Sequence, residues 1–145
     1  MLRDRHFWLA LVAGIVTVWT LRERLPVFPA DVELGWPLLL SLVVWQPMVE
    51  EILFRGVVQG QLVSTRWGAR SCFGISVANI LSSFAFAATH LFNSDAMLAP
   101  TVLVPSLLYG YFRDRFTSCI PSIALHCAYN GMVYAACMGF RGQFT

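Results

Sequence analysis

The sequence predicts an all-α protein, a polytopic transmembrane helix bundle of about five membrane helices. Three observations predict it. Of 145 residues, 57% are hydrophobic and only 12% are charged, whereas a soluble domain carries roughly 25% charged residues. Mean hydropathy is +0.64. The apolar residues gather in long runs, parted by short segments that hold most of the Arg residues. A soluble monomer of this length cannot hide so much apolar surface, because small domains bury only part of what they expose. The composition therefore excludes a soluble enzyme, a nucleic-acid module and a disordered chain. One domain covering residues 1–145 is expected.

The runs justify the helices in order. Residues 7–21 are apolar and follow Arg3 and Arg5, as in a signal peptide. No small-x-small cleavage site follows, so the segment reads as an uncleaved anchor helix. The second run covers about residues 35–63, the third 72–92, the fourth 96–112 and the fifth 118–138. A bilayer core needs about 20 apolar residues per helix. The third and fifth runs fit that length, and the first and fourth are short for it. Trp36, Trp45, Trp67, Tyr109 and Tyr111 include interface anchors.

All ten basic residues are Arg. Arg66 and Arg70 precede the third run, and Arg113 and Arg115 precede the fifth, while the loop at residues 93–95 has no basic residue. The positive-inside rule then puts the first two loops and the N-terminus in the cytoplasm, and 93–95 outside. The expected location is a bacterial inner membrane, crossed several times. A net charge of +2 points to no polyanionic partner and no nucleic acid. The four Cys lack CxxC spacing and read as small apolar side chains, not a zinc knot or a disulfide frame.

The second run carries residues that a membrane helix does not need for packing: Pro47, Glu50, Glu51 and Arg55. Glu50 lies roughly 20 Å along the helix from Trp36, at about 1.5 Å per residue. Charges at that depth cost about 2.5–3.5 kcal/mol each on insertion scales, and persist where they face a protein interior or a water-filled cavity. Glu51 and Arg55 are spaced i, i+4, where helix side chains meet, so their pairing lowers the cost of both. The pair serves a site or a buried structural knot equally well. Glu50 sits about 100° further round the helix, outside that spacing. A carboxyl in an apolar pocket has its pKa raised by desolvation, which suits a general base near neutral pH. Pro47 has no N–H, so it kinks the helix or starts a new one just ahead of the carboxylates.

His90 ends the third run, and His126 and Asn130 sit i, i+4 in the fifth. A lone His90 is more often a satisfied core residue, and His126 or Asn130 alone is common helix–helix glue in membranes. Together with Glu50 they supply a base, a second imidazole and hydrogen-bond donors. Those parts attack a carbonyl with water and hold the oxyanion. On chemistry alone, Glu50, His90 and His126 are also the donor types of a His₂Glu zinc site.

These residues carry a resemblance. Glu50-Glu51-x-x-x-Arg55 resembles the EExxxR motif of the CAAX-protease and bacteriocin-processing family, intramembrane proteases similar to the Rce-type prenyl-protein endopeptidases. Phe86-x-x-x-His90 resembles its FxxxH motif and His126-x-x-x-Asn130 its HxxxN motif, in the family's order. The resemblance covers about residues 47–134. It implies a glutamic-type intramembrane endopeptidase without a cofactor, cutting near the C-terminus of a membrane-anchored or lipidated protein. It implies that Glu50 activates water with help from His90, that His126 and Asn130 stabilise the oxyanion, and that Glu51 and Arg55 hold the site. The compact size is similar to bacterial members that serve JDVT-CTERM sorting systems.

The alternative is a non-enzymatic membrane protein, either a proton or ion pathway or an immunity or binding factor. Buried Glu and His also build proton relays. Asn130 separates the two readings, because an amide cannot titrate in a relay but can donate to an oxyanion.

Overall fold

The computed structural model describes residues 1–24, 35–93 and 99–139. Among the described residues five long helices follow in order. They are α1 (Arg5–Leu21), α2 (Trp36–Val63), α3 (Val77–Asn93), α4 (Ala99–Phe116) and α5 (Ile120–Gly139). A small hairpin, β1 (Ser71–Cys72) and β2 (Ile75–Ser76), precedes α3. One described helix, Trp36–Val63, is long and apolar enough to cross a membrane by length and composition, and Arg5–Leu21 and Val77–Leu91 are shorter apolar helices.

Each boundary has a local cause. Asp4 caps α1, its Oδ1 accepting from the Phe7 N–H at 3.1 Å. The third apolar run was expected to be helical from residue 72, but its first residues form the hairpin instead. The two-residue loop Phe73-Gly74 has positive φ at both positions, the signature of a type I′ turn. Helix α3 then starts after Ser76, whose Oγ accepts from the Asn79 N–H at 2.9 Å. Helix α4 runs past the expected end at Phe112 to Phe116, because Arg113, Asp114 and Arg115 interrupt the apolar run without breaking the helix. The loop expected at residues 93–95 begins at the last residue of α3 and otherwise lies outside the described residues, as does Arg141.

Pro47 neither breaks α2 nor starts a new helix. The backbone widens into π-helical geometry over Ser41–Trp45, ahead of the proline, and again over Ile52–Val58. Proline removes one backbone donor and crowds the carbonyl four residues earlier, and a π-turn accommodates both.

The chain divides into two compact units, Met1–Pro47 with Leu125–Thr145, and Met48–Ala124. In the first, Tyr129 Oη donates to the Ala10 carbonyl at 2.7 Å, and Gly14 lies so close to the Tyr129 ring that a Cβ there would collide with it. In the second, α3 and α4 form the main packed pair, with Phe86, Ala87, Tyr109 and Phe112 buried. Gly110 is required at their contact, since a Cβ would run into the Asn79 amide.

Candidate active site

Arg55 and Glu51 are both fully buried, and Arg55 Nε donates to Glu51 Oε2 at 3.2 Å. Two buried charges need more than each other, because desolvation offsets much of their attraction unless the remaining protons find acceptors. Here they do. Nη1 of Arg55 donates to Ser82 Oγ at 3.1 Å and to Ser83 Oγ at 3.4 Å. Nη2 donates to the Ser106 carbonyl at 2.9 Å and to Ser106 Oγ at 2.5 Å. A guanidinium has five N–H donors, and each has an acceptor. The arginine thereby ties α2 to both α3 and α4.

The shell extends outward through polar groups. Ser82 Oγ donates to the Phe54 carbonyl at 2.7 Å, and Ser83 Oγ to Asn79 Oδ1 at 3.0 Å. Asn79 Nδ2 donates to the Leu107 carbonyl, and Gln59 Nε2 to the Gly110 carbonyl, each at 2.9 Å. The π-turn takes part. Its Gln59 N–H reaches back five residues to the Phe54 carbonyl, and the Arg55 carbonyl accepts from Arg113 Nε at 3.2 Å.

Glu50 immediately precedes Glu51 on α2 and is half-buried where Glu51 is sealed. The helix thus presents one carboxylate to a closed polar core and one to a more open side. His90, also half-buried, belongs to the same unit. Phe86 explains the first position of FxxxH. Its ring meets Phe54 edge-on at 5.2 Å, lies 5.8 Å under the Arg55 guanidinium and 4.7 Å from the His90 imidazole. His90 Nδ1 is 3.1 Å from the Phe86 carbonyl oxygen. A carbonyl only accepts, so Nδ1 is the donor in this contact, and in the neutral ring Nε2 is then the acceptor.

His126 and Asn130 belong to the other unit. His126 is 7% exposed. Asn130 Nδ2 donates to the Leu42 carbonyl at 3.0 Å, for a reason that lies in Pro47. The Gln46 N–H, which would reach Leu42 in an α-helix, bonds to Ser41 instead. The residue five positions on from Leu42 is Pro47, which has no N–H. The Leu42 carbonyl thus lacks a backbone donor on α2, and Asn130 supplies one. An amide nitrogen carries two protons, and this bond uses one of them.

The structure therefore gathers Glu51, Arg55 and Phe86 around one buried cluster, with His90 stacked on Phe86, and sets Asn130 against the π-turn of α2. Of the two candidate roles open to Asn130, the interhelical hydrogen bond is present. Glu50 and His90 belong to the unit Met48–Ala124, and His126 to the unit that contains Leu125–Thr145. Sequence reasoning missed Ser82, Ser83, Ser106, Gln59, Asn79 and Phe86's packing role. A signal existed for the serines, since an arginine buried in an apolar helix needs acceptors on its neighbours. Ser82-Ser83 and Ser106 are polar interruptions of the third and fourth apolar runs.

A helical chain with one helix long and apolar enough to cross a membrane, and a buried Glu51–Arg55 cluster on that helix, has the character of a helical membrane protein. The family is more specific. Residues 32–132 match the family model for type II CAAX prenyl endopeptidase Rce1-like proteins, and the chain belongs to that family. The match takes in nearly all of the core of residues 47–134 that the motifs mark out and begins fifteen residues ahead of it. No curated protein and no solved structure matches the chain.

Proposed function

We propose that this chain is a multi-pass intramembrane endopeptidase of the glutamic type, in which Glu50 activates the water that attacks the scissile carbonyl. The reading rests on one observation above the rest. Two adjacent glutamates occupy different surroundings: Glu51 is locked to an arginine whose every donor is engaged, while Glu50 is half-buried beside it. Adjacent carboxyls in unlike environments divide into a support and an acid–base group. His90, with Nε2 as acceptor, assists the proton transfer. His126 and the second Asn130 proton donate to the developing oxyanion. Glu51 and Arg55 hold α2 against α3 and α4.

The substrate is a protein whose C-terminal segment is lipidated or membrane-anchored, and the family's prenylated C-terminal segments are the first class to try. Glutamate catalysis needs no metal. The test uses the full chain reconstituted in bilayers with a farnesylated C-terminal reporter peptide, the products read by mass spectrometry. One endoproteolytic cut is expected, unchanged by EDTA or 1,10-phenanthroline. A reporter left intact by the wild-type chain would argue for the non-enzymatic reading. Activity lost on chelation and restored by zinc would move Glu50 from base to ligand.

A further inference from the structure

The turn and hairpin that join α2 to α3 are more than a connection. Phe73, at the hairpin tip, is 99% exposed and has φ 52°. The left-handed region is unfavourable for an L-residue, and a bulky residue there is an outlier that asks for a functional reason. The type I′ position prefers Asn, Asp or Gly, so a mere linker has no need of phenylalanine. The strained residue is held in place rather than left to drift. Val77 N–H donates to the Arg70 carbonyl and Ala78 N–H to the Gly68 carbonyl. Ser76 Oγ donates to Asp114 Oδ2 at 2.6 Å.

The same segment carries Trp67, 52% exposed, and the exposed Arg66 and Arg70. Neither arginine has an ion pair or side-chain hydrogen bond among the described residues. No Asp or Glu occurs between Glu51 and Asp95. The nearby Asp114 is engaged by Ser76 and by Arg113 Nη1 at 3.0 Å. Two exposed aromatics flanked by two uncompensated guanidiniums match the interfacial layer of a bilayer, where aromatic rings sit among headgroups and cations meet phosphate.

We propose that residues 64–76 form a membrane-surface anchor, in which Phe73 and Trp67 insert among the lipid headgroups while Arg66 and Arg70 bind the phosphates of anionic phospholipids. The anchor rests on the membrane fold alone and does not require the chain to be a protease. It fixes the depth of the C-terminal end of α2, and through the helix the depth of Glu50 and Glu51.

The test places Phe73→Trp in the full chain, in nanodiscs, and reads its emission as the difference from wild type. Quenchers are phosphatidylcholine or phosphatidylglycerol brominated near the headgroup end of the chain, doped at low mole fraction, and aqueous iodide. The anchor predicts quenching by the brominated lipids and little by iodide. Half-quenching should need an at least about fivefold lower mole fraction of the glycerol lipid than of the choline lipid. Arg66→Gln with Arg70→Gln should erase that difference while leaving quenching by the choline lipid unchanged, which also reports that the hairpin still folds. Quenching by iodide and not by lipid would overturn the proposal and leave the hairpin free for a protein partner. Equal response to the two headgroups in the arginine-intact chain would overturn the phosphate assignment.

Discussion

The cluster around Arg55 and the junction around Asn130 both put polar side chains inside apolar helices, yet they resolve the cost in opposite ways. At Arg55 four side-chain acceptors and one backbone carbonyl surround the guanidinium, and every guanidinium proton has an acceptor. At Asn130 a side chain satisfies the backbone, filling a carbonyl that Pro47 and the π-turn leave without a donor. A group with all its donors engaged can hold a site but cannot reach a substrate. A group that retains a proton can do both. By that criterion Arg55 is confined to holding its neighbours, and Asn130 keeps one amide proton for the oxyanion role proposed above.

Breaking the first region should have the largest effect. Arg55→Ala leaves Glu51 buried without its partner and should cost about 3–5 kcal/mol, read by reversible unfolding in detergent. Changing Glu51 and Arg55 together to apolar residues should restore much of that loss. Simple additivity of the two changes would contradict a direct pair. Arg55→Lys should rescue poorly, because a point charge cannot replace five donors in a fork.

Ser106→Ala sharpens the same region. It removes one of the two acceptors on Arg55 Nη2 and keeps the carbonyl, so about 1.5 kcal/mol is expected, in the range for hydrogen bonds to charged groups. An unchanged melting curve would mean that the carbonyl suffices.

The second region predicts a coupling. Asn130→Ala should cost about 0.6–2 kcal/mol as a lost helix–helix bond. Pro47→Ala restores an N–H to α2 near the Leu42 carbonyl, so the same Asn130 change should cost less in that background. A double-mutant cycle measures the difference. If Asn130 also holds the oxyanion, Asn130→Ala lowers kcat by roughly 10²–10³ with KM nearly unmoved, more than packing alone explains.

The smallest expected effect has the opposite sign. Phe73→Gly relieves the left-handed backbone and should raise stability in detergent by about 1 kcal/mol. In bilayers the gain should shrink, as the lost ring also removes the anchor.

Much of this was legible in the sequence, and the reasons differ by element. Glu51 and Arg55 pair at the spacing that helix geometry dictates. The five apolar runs became the five long helices among the described residues, since long apolar runs without turn signals favour a helix. What escaped was non-local or conformational. The other acceptors of Arg55 come from residues 27 to 51 positions away, and no spacing rule reaches that far. The π-turns around Pro47 follow from a missing donor, which the sequence displays, but the choice between a kink and a π-turn depends on what packs beside it. The hairpin hid inside an apolar run because Phe73 and Cys72 read as helix interior, and only Gly74 marked the turn.

The most direct test of the account compares Glu50→Gln and Arg55→Ala in one preparation, each measured for unfolding and for single-turnover cleavage of the farnesylated reporter. Glu50→Gln should unfold like wild type, or slightly later, since a charge has been removed from a half-buried site. Its cleavage rate should fall by at least about two orders of magnitude, the scale of a lost general base. Arg55→Ala should lose stability first and activity with it. Wild-type cleavage by Glu50→Gln would contradict the account, and so would a loss of stability in Glu50→Gln as large as that in Arg55→Ala.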